Sequence, residues 1–330
     1  MSNFSSLTDP EEMNEKADTS NDAEAVEESA VDTADTPDTS PLTMVREKQV
    51  VEQSPRDTGI LSQKTHELAL PATPGLQATH LCHVGAIRER NEDACMVLNA
   101  QVAGHFQQLP FGLYMVADGM GGHVNGHEAS NLAIRVAARH ILNELYLPML
   151  QTIDSPLQIP VQEVLTQAVE EANAAIFNPD PEIDGGTTLT ICLVIGQRLF
   201  VAHVGDSRAY LLREDRLEQI TDDHSLARRL QDIGQLSPED EAFYNIRHML
   251  LRAVGQGEEL EIDSYTLRLP TQGRLLMCSD GLSGMISDGA IETILRQGKS
   301  VTETADALFE AAMNAGGHDN ISLIIADFQF

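Results

Sequence analysis

The 330-residue chain contains no tryptophan, and aromatic residues make up only 4% of it. Any core must therefore be largely aliphatic, and at 42% hydrophobic residues the chain has enough apolar side chains to build one. No stretch approaches the roughly 18 apolar residues of a membrane-spanning helix, which argues against an integral membrane protein. The opening Met1, Ser2, Asn3 and Phe4 offer neither a basic nor an apolar leader, so no secretory signal is expected. Positive charge is scarce: 21 Lys and Arg stand against 51 Asp and Glu, a formal charge of −30. Nucleic-acid affinity comes largely from Lys and Arg neutralising phosphates, so that class of partner is not expected. Metal cations or basic partners suit the chain better. Cysteine is also sparse. Cys82, Cys95, Cys192 and Cys278 form no C-x-x-C pair, which argues against a zinc knuckle, a thioredoxin-like motif or a disulfide framework. Cys192 and Cys278 sit in apolar runs and read as small buried hydrophobes, and the reducing cytoplasm is the expected compartment.

What is present is unevenly distributed. Residues 1–41 hold twelve acids against one base, Lys16, with Ser, Thr and Pro between them. Such a segment buries too little apolar surface to offset its ordering entropy, and it is expected to be disordered. The polar composition continues to Pro71, Pro74 and Gly75, so residues 1–76 read as an acidic tail and linker and residues 77–330 as one large domain. An acidic tail of this kind suits a basic partner.

Beyond the tail the periodicity is legible. Val161, Val164, Leu165, Ala168, Val169, Ala172 and Ile176 share one helical face. The stretch EASNLAIRVAARHILNEL is a second helix. Ser300 and Glu303 fit a capping box, with Gly316 placed to close the helix after Met313. Between the helices lie β-type runs: GLYMVA, TTLTICLVI, LFVAHV, RAYLL, RLLMCS and ISLIIADF. Gly196-Gln197 has the length and composition of a two-residue hairpin turn. Strands joined by tight turns, with helices clustered between strand groups, indicate α+β with antiparallel sheets.

Several strands end in an aspartate beside glycine or asparagine: Asp93 after Asn91-Glu92, Asp118-Gly119, Asp280-Gly281 and Asp319-Asn320. One Asp-Gly is an ordinary turn. Three hydrophobic strands each delivering an aspartate are different, because converging carboxylates repel one another unless a cation joins them. Oxygen ligands select a hard cation such as Mg²⁺ or Mn²⁺ over zinc.

The ordered set G-x-x-R-x-x-N-E-D (85–93), V-A-D-G-M-G-G-H (116–123), G-T-T (186–188), V-G-D-S-R (204–208), S-D-G-L (279–282) and D-N-I-S (319–322) resembles the metal-dependent Ser/Thr protein phosphatases of the PPM/PP2C type, in their bacterial form. The resemblance spans roughly residues 79–330. It implies a four-layer αββα fold, in which two antiparallel β-sheets form a sandwich flanked by helix pairs. Asp93, Asp118, Gly119 (through its carbonyl), Asp280 and Asp319 are similar to the ligands of the family's two Mg²⁺ or Mn²⁺ ions. Asp184, with Glu182 as a rival, fits the acid of a third, weaker metal site. Glu92 resembles the acid that holds a metal-bound water, and Arg88 the arginine that grips the substrate phosphate. Met120 stands where some members carry a histidine proposed as general acid, and His123 lies three residues on.

The resemblance further implies hydrolysis of phosphoserine and phosphothreonine by a water activated between two ions roughly 3.5–4 Å apart, without a covalent enzyme intermediate. Ser207, in G-D-S-R, is then part of a structural turn. The segment between that turn and Arg252 corresponds to a mobile flap, with Gly234 and Pro238 as a hinge. Phosphoproteins are the implied substrates and a Ser/Thr kinase the implied counterpart. The competing reading is an inactive pseudophosphatase that binds partners through its tail.

Overall fold

The computed structural model describes residues 75–102, 109–121, 126–151, 160–177, 185–214, 216–237, 246 and 248–330. The acidic segment expected as a tail lies outside these residues, save for Gly75 and Leu76, which open the first strand.

The strands are β1 (Gly75–His83), β2 (Asp93–Val102), β3 (Leu109–Met120), β4 (Gly186–Thr187), β5 (Leu189–Ile195), β6 (Arg198–Val204), β7 (Arg208–Leu212), β8 (Leu217–Gln219), β9 (Asp263–Arg268), β10 (Gln272–Cys278) and β11 (Ile321–Gln329). They form two antiparallel sheets, one in the order β1-β11-β10-β7-β8 and the other β2-β3-β5-β6-β9, with β4 paired to the end of β3. Alternation along each strand divides its side chains between two cores. On β3, Tyr114 and Val116 meet Met277 and Ile324 of the opposite sheet, whereas Leu113 and Met115 face outward.

Helices cover both outer faces. Helices α1 (Gly126–Ile141) and α3 (Val161–Ile176) bury Ala133, Ala137, Leu165 and Ala168 against the second sheet. A π-helical turn (Leu142–Tyr146) carries α1 into the short α2 (Leu147–Gln151). On the other side, the short α5 (Asp280–Ser283), α6 (Asp288–Leu295) and α7 (Val301–Asn314) cover the first sheet through Leu282, Ile291, Ala305 and Leu308. Helix α4 (Leu226–Asp232), capped by Ser225, lies in the stretch expected to be a flap. Of the expected hinge residues, Gly234 has a φ of 69° and Pro238 lies outside the described residues. The architecture is the expected sandwich of two antiparallel sheets between helix layers.

Local signals survive in this fold. The α3 face contains the predicted residues, with Asn173 buried beside them. Gly196, at φ 55°, turns β5 into β6. Both bonds of the Ser300–Glu303 capping box form. Central strands such as β5 are buried on both faces because each sheet is sandwiched between a helix layer and its partner sheet. That is why they read as unbroken apolar runs even though the sheet is antiparallel.

Arg274 on β10 ties sheet to helices. It is 8% exposed and donates to Leu295 O at 3.2 Å, Lys299 O at 2.8 Å, Thr304 Oγ1 at 2.9 Å and Asp327 Oδ2 at 2.8 Å. Arg274→Ala should therefore lower unfolding stability by about 2–4 kcal/mol, since it strands carbonyls and a carboxylate. Urea denaturation checks this, and a change below about 0.5 kcal/mol would refute it.

Candidate active site

The strand ends converge at one edge of the sandwich. β2 and β3 pair in a register that sets Asp93 opposite Asp118. β10 runs directly into Asp280, and β11 is entered through Asp319 and Asn320. The backbone of Asp118 is fixed by the G-T-T segment: its N–H donates to Thr188 Oγ1 at 2.8 Å, and its carbonyl accepts from Thr188 N at 2.8 Å and Thr187 Oγ1 at 2.9 Å. Thr188 is backed in turn by the fully buried Ser207, at 2.8 Å. This contact ties Ser207 into the scaffold.

Glu92 O accepts from Gly119 N at 3.1 Å and Ser130 Oγ at 2.6 Å, which joins the motif loop to β3 and α1. Gly119 is required by packing, because a Cβ there would collide with the carbonyls of Gly126 and Glu92. Gly281 is equally confined, by the carbonyl of Asn320. Asn320 fastens the other side. Its Oδ1 accepts from Glu92 N at 2.8 Å, and its Nδ2 donates to Val84 O and Arg90 O, each at 2.9 Å.

The acids differ in their surroundings. Asp93 is 5% exposed; its Oδ2 accepts from Ser279 Oγ at 2.8 Å, while its buried Oδ1 has no hydrogen-bond partner among the described residues. Burial, aided by the nearby Asp280 and Cys82 and opposed by the hydroxyls of Ser279 and Ser322, pushes the Asp93 carboxyl up to about 7. Asp118 is pushed well above the usual carboxylate range, first by withdrawal from water and then by Asp93, Asp280, Asp206 and Asp319. The outer acids have partners of opposite charge or capable of it. Asp319 Oδ2 accepts from Arg88 at 2.8 Å, with the Arg88 side chain 51% exposed, and Asp280 Oδ2 lies 3.1 Å from His248 Nδ1.

The structure thus brings Arg88, Glu92, Asp93, Asp118, Gly119, Asp280 and Asp319 to one edge. Asp184, Glu182 and His123 lie outside the described residues. Sequence reasoning missed three participants. Asp206 of the G-D-S-R turn is 8% exposed and raised well above the usual range, by burial and then by Asp280. His248 comes from the expected flap and carries no motif. Ser279 was visible only as the first letter of S-D-G-L. A strand-end aspartate beside glycine, the signal used for the other acids, also describes Asp206.

The donor set is carboxylate and carbonyl oxygen, and the unpartnered Asp93 Oδ1 suits a hard divalent cation. Among the described residues, no three His, Cys, Asp or Glu side chains close around a common point in the arrangement seen. Arg88 and His248 engage Asp319 and Asp280 instead.

Comparison with known proteins points to one family. Residues 78–230 match the family model described as Protein phosphatase 2C. A serine/threonine phosphatase, stp, of Listeria innocua is 35% identical over 244 residues, covering 74% of this chain and 92% of its own. The crystal structure of the Mycobacterium tuberculosis serine/threonine phosphatase PstP/Ppp superposes with a TM-score of 0.63 at 35% identity, over 77% of this chain and 99% of that one. The PstP catalytic domain in complex with two manganese ions superposes with a TM-score of 0.61 at 36% identity, covering 77% and 99%.

The raised Asp93 carboxyl has a testable sign in metal-free protein. Between about pH 4 and 7 the folded state holds a proton that the unfolded chain has released, so this group's contribution to stability falls as pH rises. Asp93→Asn removes that loss and leaves the other titrating groups in place. In EDTA, the Tm difference between variant and parent should therefore shift in favour of the variant from pH 5 to pH 8. A difference that does not vary with pH would contradict the assignment.

Proposed function

Because this chain belongs to the protein phosphatase 2C family of bacterial serine/threonine phosphatases, we propose that Asp93, Asp118, the Gly119 carbonyl, Asp280 and Asp319 hold two Mg²⁺ or Mn²⁺ ions. The observation that carries this is the unpartnered, buried Oδ1 of Asp93 directly across the strand pair from Asp118. When bound, such ions lower the pKa of water and neutralise charge on the phosphoryl oxygens. Asp184 is the proposed acid of a third, weaker site.

The chain's own residues supply the rest. Arg88 sits at the exposed rim, where a planar guanidinium matches phosphate oxygens in a fork, and Asp319 presets its direction. Glu92, whose backbone is clamped by Ser130, Gly119 and Asn320, orients the attacking water. The substrates are phosphoserine and phosphothreonine in proteins, with a Ser/Thr kinase as the counterpart enzyme. The segment before β1, residues 1–74, serves as an acidic tail for a basic partner, and the protein works in the reducing cytoplasm, in keeping with its four free cysteines. The inactive binding-module reading gains no support, because every primary acid position is retained.

The deciding experiment is phosphopeptide hydrolysis in EDTA and then with added Mn²⁺. Activity should be absent first and restored second; turnover in EDTA, or none with Mn²⁺, would overturn the metal reading. Arg88→Ala should reduce kcat/KM by about 2–4 kcal/mol with little change in metal affinity, and kinetics equal to the parent would remove Arg88 from the site.

Deleting residues 1–70, which leaves β1 intact, should hold phosphopeptide turnover within about threefold and barely alter Tm. A large fall in Tm would contradict the tail reading.

A further inference from the structure

One buried histidine joins three segments that bear on the backbone of Asp118. His224, 7% exposed, stands between β8 and α4, where the chain enters the stretch expected to be a flap. Its N–H donates to Gly205 O at 2.8 Å, and its carbonyl accepts from Leu251 N at 2.8 Å. The outgoing and returning ends of that stretch are therefore tied together and to the G-D-S-R turn, and a bridge between Ser225 and Leu250 extends the tie. Gly205 packs directly on Thr188, whose hydroxyl holds the Asp118 N–H: a Cβ on Gly205 would meet Thr188 Cβ at 2.5 Å. Beyond Arg252, Val254 N donates to Thr187 O at 2.8 Å and Thr187 N to Val254 O at 3.0 Å, so the returning end reaches the same G-T-T segment.

The contacts of the His224 ring fix its state. Gly205 N–H donates to Nδ1 at 3.2 Å. A ring nitrogen that accepts carries no proton, so the one proton sits on Nε2, which faces Asp263 Oδ2 at 3.2 Å. Asp263 also accepts from Arg252 Nη1 at 2.9 Å and Tyr265 Oη at 3.0 Å, and Arg252 Nη2 reaches Glu261 at 2.6 Å. The 3.2 Å between Arg252 Nη1 and His224 Nε2 is thus the approach of two donors to one carboxylate. Burial, opposed by Asp263 and Glu261 and aided by Arg252, pulls the imidazole below its usual value, in keeping with a neutral ring. A proton on Nδ1 would set N–H against N–H at Gly205 and push the turn away from His224.

We propose that His224 is a positioning residue: as the neutral Nε2–H tautomer it clamps Gly205 onto Thr188 and so holds Asp118 in place for the cations. Its part in metal binding rests on the reading of the site given above, whereas the state of its ring does not. A group that fixes a ligand without touching the cation acts on metal affinity and turnover. It leaves alone the grip on substrate phosphate, which belongs to Arg88.

The test compares three variants of the full chain. Asn places Oδ1 where Nδ1 stands and keeps the acceptor for Gly205. Gln places its amide near Nε2 and keeps only the donor to Asp263, and Ala keeps neither. His224→Gln and His224→Ala should weaken Mn²⁺ binding, read by calorimetry, about tenfold and lower kcat on p-nitrophenyl phosphate by a similar factor, with KM within about twofold. His224→Asn should bring both back to within about threefold of the parent. Asn no better than Gln, losses that merely follow Tm across the variants, or parent-like Mn²⁺ binding in all three would overturn the proposal. Should His224→Ala fail to fold, the Asn and Gln pair decides. Independently, parent protein carrying ¹⁵N-histidine should show, for the ring signal missing from His224→Asn, a proton on Nε2 and none on Nδ1. A proton on Nδ1 would overturn the clamp whatever the activity. A parent that takes up no Mn²⁺ would overturn the metal reading, and the positioning role with it.

Discussion

The structure is organised around one unfavourable pairing. Antiparallel register places Asp93 and Asp118 opposite each other, and both are pushed toward protonation, first by burial and then by neighbouring acids. Two adjacent carboxylates withdrawn from water persist only if the surrounding backbone cannot relax away from them. The neighbouring segments supply that rigidity. The G-T-T segment holds Asp118 by its own N–H and C=O, Ser279 joins Asp93 to the other sheet, and Asn320 locks the Glu92 loop to the entrance of β11. Local stability is given up where a cation can be taken in.

Charge is graded outward from that pair. Asp206 adds a further buried acid beside Asp118 and Asp280, whereas at the rim Asp319 is met by Arg88 and Asp280 by His248. On the proposed reading, cations bound between these acids would compete with existing ion pairs at the rim and relieve repulsion at the centre. The two effects have opposite signs, and the buried centre is the stronger because screening by water is weaker there. On the proposed reading, a cation taken by Asp319 would free the Arg88 guanidinium at the mouth for an anionic substrate.

The four-layer architecture makes such a site possible. Each sheet is covered on both faces, so its strands are rigid and apolar along their length and polar chemistry is confined to their ends. The ends of β3, β10 and the start of β11 come together at one edge because antiparallel neighbours alternate direction.

Much of this was legible in the sequence because it is local. A capping box, a two-residue turn and a 3.6-residue apolar face depend on residues within a few positions of each other, and Ser300–Glu303, Gly196-Gln197 and α3 form as read. The principal acids were legible for a similar reason, since a strand-end aspartate beside glycine is a short pattern and six such patterns occur in order. Asp206 has that pattern too, but only the packing of its turn against Asp118 and Asp280 marks it as part of the cluster. The reach of Asn320 across more than two hundred residues to the Glu92 loop, the Ser279–Asp93 bond between sheets and the approach of His248 to Asp280 have no local signature. Each depends on which sheet faces which and in what register, and that is decided by burial of three apolar layers at once. Residue types and their order determined what chemistry this chain can carry; the stacking of its sheets decided which of those groups meet.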